Sequence, residues 1–212
     1  MEKSIYNNTK LRYNHQCIKE NMMRILTDCD GVLLNWEYAF NTWMQRHGYG
    51  EVQDASKYYD VGDRYGIPTE EKKRLVKFFN ESSAIGFLPP LRDAMHYVDK
   101  LHRKHGCVFH VITSLSLEPT AQELRIANLN KLFGSTVFEK FVFLDTGADK
   151  HEALEPYRNS YDVWIEDKVE NADLGYDMGL DSIIMEHGFN MDYDGPCPIM
   201  KNWKDVYHYV VG

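Results

Sequence analysis

The chain has 212 residues, room for one large domain or for a core with an inserted cap, and its 43% hydrophobic and 13% aromatic content supports a packed interior. A formal net charge of −8, from 24 basic and 32 acidic residues, argues against a general binder of nucleic acid or anionic membrane, since either needs a basic face. No apolar run reaches the roughly 18 residues of a membrane span, so no transmembrane helix is expected.

Residues 1–22 are polar (Asn7, Asn8, Lys10, Arg12, Asn14) and do not form a signal peptide. They read as a flexible arm, a tag remnant or an upstream start, with the fold beginning at Met22 or Met23. The first strand is Arg24–Thr27. It runs into Asp28-Cys29-Asp30-Gly31, the most informative stretch of the chain. On an extended segment, residues i and i+2 face the same way. Two carboxylates held together repel, and need a cation or a shared proton. Gly31 lets the chain turn at once and brings backbone amides near a ligand. The pattern suits a magnesium and phosphate site, with Asp28 as nucleophile and Asp30 as proton donor to a leaving oxygen. The blander reading, two aspartates opening a turn, loses ground as the rest of the chain is added.

Residues 35–86 hold no convincing strand. Trp36–His47 and Thr69–Asn80 read as helices, the second with Thr69 as N-cap and Glu70 and Glu71 in its first turn. Between them lies an aromatic, irregular piece with Tyr58, Tyr59 and Tyr65. Phe87-Leu88-Pro89-Pro90-Leu91 returns the chain, stiffened by its prolines. Beyond it, helices over Leu91–His105, Pro119–Phe133 and Lys168–Met178 alternate with strands at Cys107–Thr113, Phe141–Leu144, Asp162–Ile165 and Ser182–Met185. The apolar stripe of the second of these helices is read as Leu124, Ala127, Leu129 and Leu132. Short apolar strands alternating with helices give an α/β fold, a Rossmann-like parallel sheet with helices on both faces. A small helical cap is inserted after the first strand. The expected division is an arm (1–22), a core (23–34 and 87–212) and a cap (35–86).

Ligands of open parallel sheets bind at the carboxyl ends of the strands. Four sets of polar residues stand there: Asp28 and Asp30, then Thr113 and Ser114, then Lys150, then Glu166 and Asp167, with Asn171 and Asp173 following. The hydroxyls suit phosphate oxygens, the lysine a point charge, and the second carboxylate pair a hard cation. Alone, each has an ordinary explanation as a cap or a solvated charge. Together, in this order, they define a site. Cys17, Cys29, Cys107 and Cys197 form no Cys-x-x-Cys pair, which points to a reducing, cytoplasmic setting and to Cys29 as a space-filling residue.

At this point the chain resembles the haloacid dehalogenase-like (HAD) superfamily of phosphatases over roughly residues 23–211. Asp-x-Asp-Gly-Val-Leu (Asp28–Leu33) matches its first motif, Thr113 its second, Lys150 its third and Glu166-Asp167 its fourth. The resemblance implies a phospho-aspartate on Asp28, Asp30 acting as acid and then base, and phosphate held by Thr113 and Lys150. It also implies Mg²⁺ bound by Asp28, the Asp30 carbonyl and Asp167. Glu166 stands where the family often has aspartate, as a ligand or an outer group, and Lys140 is the other lysine near the third strand. Within the superfamily the layout is similar to the 5′(3′)-deoxyribonucleotidases in the stretch ending at Trp36, in the return Gly86–Pro90 and in Thr113-Ser114. Trp36 and Phe87 are then expected to stack on a nucleobase, and Phe40 and Trp43 to form cap core. The expected activity is magnesium-dependent hydrolysis of a small phosphomonoester, a nucleoside monophosphate before others. The alternatives are a phosphatase for sugar phosphates or nucleic-acid ends, and a catalytically silent phosphate-binding regulator. No membrane or stable nucleic-acid partner is expected, and homodimerisation stays open.

Overall fold

A computed structural model describes residues 23–212; residues 1–22, on which the expectation of an arm and Cys17 fall, lie outside the described residues. Six parallel strands form one sheet: β1 (Arg24–Thr27), β2 (Val108–Ser114), β3 (Phe138–Leu144), β4 (Val163–Glu166), β5 (Asp181–Met185) and β6 (Ile199–Met200). Their order is β3-β2-β1-β4-β5-β6. The chain therefore builds outward from β1 on one side, then crosses back to continue on the other. That reversal places a crevice at the carboxyl end of β1.

Successive strand residues point to opposite faces, and both faces are buried. Ile25, Val111, Ile165 and Ile183 join one apolar cluster, while their neighbours Leu26, Ile112 and Trp164 join a second. Helices α4 (Ala94–His105), α5 (Pro119–Phe133), α6 (His151–Leu154), α7 (Val169–Asp177) and α8 (Trp203–Val211) connect and cover the strands. No helix among the described residues is long and apolar enough to cross a membrane.

Between β1 and Pro89 the chain is helical, with α1 (Trp36–Arg46), α2 (Val61–Tyr65), α3 (Thr69–Asn80) and short 3₁₀ turns at Ala55–Lys57 and Ser83–Phe87. Asn35 caps α1, its Oδ1 accepting from Tyr38 N at 3.0 Å. Phe40, Met44 and Phe79 of this segment belong to the same apolar cluster as Ile25 and Val111, so its packing is continuous with the sheet. Phe40 is 2% exposed, and Trp43 packs against it at 5.9 Å between ring centroids.

Several local expectations need correction. Pro68, not Thr69, precedes α3: its φ of −64° and ψ of 153° hold the last extended residue, and Thr69 is already helical. Helix α4 begins at Ala94 rather than Leu91, because Arg92 adopts φ 43° and breaks the helical run. The Asp93 carboxylate turns to α8 instead, accepting from Trp203 N and Lys204 N at 3.0 and 3.1 Å. On α5 the buried face is Ala121, Arg125, Asn128, Leu129 and Phe133, while Ala127 is exposed. β6 and α8 complete the sheet edge and its cover beyond the elements expected from sequence.

Candidate active site

The loop after β1 is tightly pinned. Leu33 N and Leu34 N both donate to Cys29 O at 2.9 Å, and Gly31 N donates to Leu34 O at 2.9 Å. Gly31 has φ 74°, and a Cβ there would stand 2.1 Å from Asp167 Oδ2. Only glycine permits both the turn and the approach of this backbone to Asp167. The indole N–H of the fully buried Trp203 donates to Val32 O at 2.8 Å, so α8 braces the loop from beneath.

Three carboxylates converge. Asp28, Glu166 and Asp167 each place an oxygen within 4.8 Å of the others'. Lys150, whose backbone precedes α6, enters the group with Nζ 3.0 Å from Asp28 Oδ2 and 2.7 Å from Glu166 Oε1. Three carboxylates against one ammonium leave a local excess of negative charge in a buried place. Burial is the main reason Asp28 is pushed up to about 7, with Glu166 and Asp30 adding to it against the pull of Lys150. Burial, then Glu166 and Asp28, raises Asp167 well above the usual carboxylate range. Burial also opposes the charge of Glu166, yet Lys150 more than offsets it and holds Glu166 low. Lys150 is held above its ordinary value in spite of burial, by Asp28 and Glu166.

Glu166 is in the cluster, but its carboxylate is already saturated. Oε1 accepts from Lys150 Nζ and from Asn171 Nδ2, each at 2.7 Å, and Oε2 accepts from Asp167 N and Lys168 N at 2.6 and 3.1 Å. It is fully buried and does not line the cavity, whereas Asp28 and Asp167 do. The geometry thus has Glu166 holding Lys150 and the loop, and leaves Asp28 and Asp167 as the carboxylates that could face a hard cation. Oxygen donors and excess negative charge suit magnesium.

Beside the carboxylates, β2 ends in Thr113 and Ser114, both lining the same cavity. Thr113 Oγ1 is buried without a hydrogen-bond partner. An orphaned buried hydroxyl is costly, and its position at the mouth fits an atom waiting for a ligand oxygen. Ser114 Oγ donates to Ala148 O at 3.1 Å. Lys140 lies within β3, its Nζ 5.4 Å from the Tyr157 ring centroid, and does not reach the cavity; Lys150 does.

The cavity encloses about 390 Å³ between the strand ends and the helical segment, within the range of about 300–1,000 Å³ for small-molecule sites. Trp36 lines it but also packs within the helical segment: it stacks on Phe40 at 4.5 Å and its indole N–H donates to Asn80 Oδ1 at 2.9 Å. Phe87 does not reach the cavity and is 73% exposed. Its neighbours explain this: Ile85 and Leu88 take the buried positions of the turn, and Gly86 lies against Leu124, which leaves Phe87 facing solvent.

Other residues complete the site with little sequence signal. Asn190, 2% exposed, donates to Asp167 O and Met185 O at 2.9 Å each and accepts from His187 N at 2.8 Å, fastening the loop after β5 under the acidic pair. The His187 ring bonds to Gly31 O at 2.7 Å and stacks on Phe189, which meets Tyr59 edge-on at 5.1 Å. Arg125 on α5 reaches Asp30 from behind, at 2.5 Å to Oδ1. Cys29 is buried and its thiol is pushed up to about 12, chiefly by burial, so it is inert filler.

The acidic cluster stands at the topological reversal of a parallel α/β sheet, and comparison with known proteins agrees on the fold. No family model matches the sequence. An uncharacterized 32.4 kDa protein from the Gp30-rIII intergenic region of Enterobacteria phage T4 is 28% identical over 157 residues, covering 70% of this chain and 55% of that protein. The chain thus spans about half the length of this curated relative. Among solved structures, the HAD-hydrolase YfnB from Bacillus subtilis, bound to magnesium, superposes with a TM-score of 0.56 at 13% identity over 91% of this chain and all of that one (100%). CbbY from Rhodobacter sphaeroides, in complex with phosphate, gives 0.55 at 17% identity over 86% and 95%. The chain has the fold of the haloacid dehalogenase-like hydrolases.

Proposed function

We propose that this protein is a magnesium-dependent phosphomonoester hydrolase that works through a phospho-aspartate on Asp28, with nucleoside monophosphates as its substrates. The observation that carries the reading is the juxtaposition of Asp28, Asp167, Glu166 and Lys150 with the orphaned Thr113 hydroxyl at one carboxyl strand edge. A phosphate needs cations and donors, and an in-line attack needs a carboxylate aimed at it. The magnesium-bound and phosphate-bound structures of the same fold support the two ligands.

Asp28, Asp167 and the Asp30 carbonyl would hold the metal, which supplies charge neutralisation for the phosphoryl oxygens. Lys150 adds a positive charge at the same place, and Thr113, whose hydroxyl has no other partner, donates its hydrogen to the phosphate, with Ser114 beside it held by Ala148 O. A carboxylate oxygen of Asp28 attacks phosphorus. The bond to the ester oxygen breaks, and its electron pair leaves with the alkoxide, which takes a proton from Asp30. Asp30, now a carboxylate, takes a proton from water as that water's oxygen attacks the aspartyl-phosphate. Inorganic phosphate leaves and Asp28 is restored. In this account residues 35–86 act as the cap over a core of 23–34 and 87–212, excluding bulk water and meeting the leaving group.

The nucleotide preference rests on the aromatic lining of the cavity, with Trp36 and Tyr59 from the helical segment and Phe189 from the loop after β5. Base stacking on such rings is worth about 1–3 kcal/mol. The test is phosphate release from nucleoside monophosphates, sugar phosphates and para-nitrophenyl phosphate, with magnesium and in excess chelator. Nucleotides should be turned over fastest, and chelator should abolish all release. Faster turnover of a sugar phosphate would remove the nucleotidase reading and keep the phosphatase; full activity in chelator would remove the metal.

A further inference from the structure

Arg125 is among the largest fully buried side chains of the protein, and neither composition nor motif assigns it a role. It sits on the face of α5 that would ordinarily be apolar, between Ala121 and Leu129. Its guanidinium ends against the acidic loop. Nη1 is 2.5 Å from Asp30 Oδ1 and 2.9 Å from Cys29 Sγ, and Nη2 is 3.2 Å from Asp30 Oδ2. Its Nε has no partner. A buried cation with an unsatisfied N–H is expensive to keep, and a hydrophobic residue of similar volume would serve packing better.

The arrangement has two sides. Arg125 is 0% exposed and lies on the protein side of Asp30, whose own side chain is 22% exposed and lines the cavity. The two contacts are unequal, tight at Oδ1 and loose at Oδ2. Oδ1 is thus held close by the fork, and Oδ2 is the more loosely held oxygen of a side chain that lines the cavity. A planar two-pronged donor fixes the plane of a carboxylate as a lysine cannot. The backing is rigid as well: Asn128, one turn further along α5, donates to Leu88 O at 3.0 Å and ties the helix to the returning chain.

We infer that Arg125 is a positioning residue for proton transfer: it clamps Asp30 through Oδ1 so that Oδ2 exchanges the proton with the leaving group and then with water. This rests on the phosphatase reading above. It predicts selectivity by leaving group. A nucleoside alkoxide must be protonated as it departs, whereas para-nitrophenolate leaves without a proton. The quantity to compare is kcat/KM, which is governed by transfer to Asp28 and is blind to the later hydrolysis.

The experiment compares wild type, Arg125→Gln, Arg125→Lys and Asp30→Asn on a nucleoside monophosphate and on para-nitrophenyl phosphate. Arg125→Gln should lower kcat/KM for the nucleotide by about tenfold to a hundredfold, part of the roughly 10²–10⁴-fold worth of the whole acid–base group, and leave the nitrophenyl ester within about threefold. Arg125→Lys, which keeps the charge and loses the fork, should fall between, and it carries the test if the glutamine variant does not fold. In the Asp30→Asn background, Arg125→Gln should add no further selectivity. Equal losses on the two esters would overturn the inference and leave Arg125 as packing, as would an independent loss in the Asp30→Asn background. Absence of phosphate release from either ester by the wild type would instead overturn the phosphatase reading itself.

Discussion

Asp28→Asn protein should fold as the parent does and release no phosphate above background, a loss of at least about 10⁴-fold in kcat on the scale seen when an enzyme's nucleophile is removed. An amide does not attack phosphorus usefully. The substitution is nearly isosteric. It also removes a charge that burial opposes, since Asp28 is pushed up to about 7. Lys150 keeps its 2.7 Å contact with Glu166. Thermal unfolding of metal-free protein should therefore show no loss of stability alongside the loss of turnover. Activity near that of the parent in purified Asp28→Asn protein would contradict the assignment of the nucleophile.

Gly31→Ala should cripple the metal site while leaving Asp28, Asp30 and Lys150 in the chain. The backbone at 31 has φ 74°, where an L residue costs about 1–2 kcal/mol, and the new methyl carbon would stand 2.1 Å from Asp167 Oδ2. One of them must move, and Asp167 is one of the carboxylates proposed to hold the metal. The apparent magnesium affinity, read by titrating activity against the metal, should weaken by about tenfold or more, since misplacing a ligand disturbs both coordination and its supporting bonds. The Asp167 backbone, held through its carbonyl by Asn190 at 2.9 Å, cannot simply withdraw. An unchanged magnesium dependence would show that the close approach of Gly31 to Asp167 has no bearing on the metal.

The sheet was legible because buried parallel strands are short apolar runs, and β1, β2, β4 and β5 all announce themselves that way. The candidate site residues were legible for a related reason: a polar side chain soon after such a run falls at the carboxyl edge. Asp28, Thr113, Lys150 and Asp167, which close or follow four such runs, line one cavity. The residues that hold them were not legible. Asn190 lies in an irregular loop, and its work is done through backbone carbonyls that no side-chain pattern encodes. Arg125 occupies a core-facing position of α5, where an apolar stripe placed through Leu124, Ala127, Leu129 and Leu132 steers attention away from it. Phe87 shows the converse failure: an aromatic residue at a chain return suggests a wall of the site, but the turn around it buries Ile85 and Leu88 instead. For α8 the signal was present, with Asn202 as N-cap and Trp203, Val206 and Tyr207 at helical spacing on its buried side.

The account stands on a covalent aspartyl-phosphate, and the most direct measurement is to look for it. Asp30→Asn protein, slowed in discharging the intermediate, is incubated with magnesium and para-nitrophenyl phosphate, whose leaving group needs no proton from Asp30, then quenched in acid, digested and mapped by mass spectrometry. The account predicts a phosphoryl group on the peptide carrying Asp28, lost on treatment with hydroxylamine as an acyl phosphate is. Phosphate on any other side chain, or continued turnover with none on the protein, would contradict it.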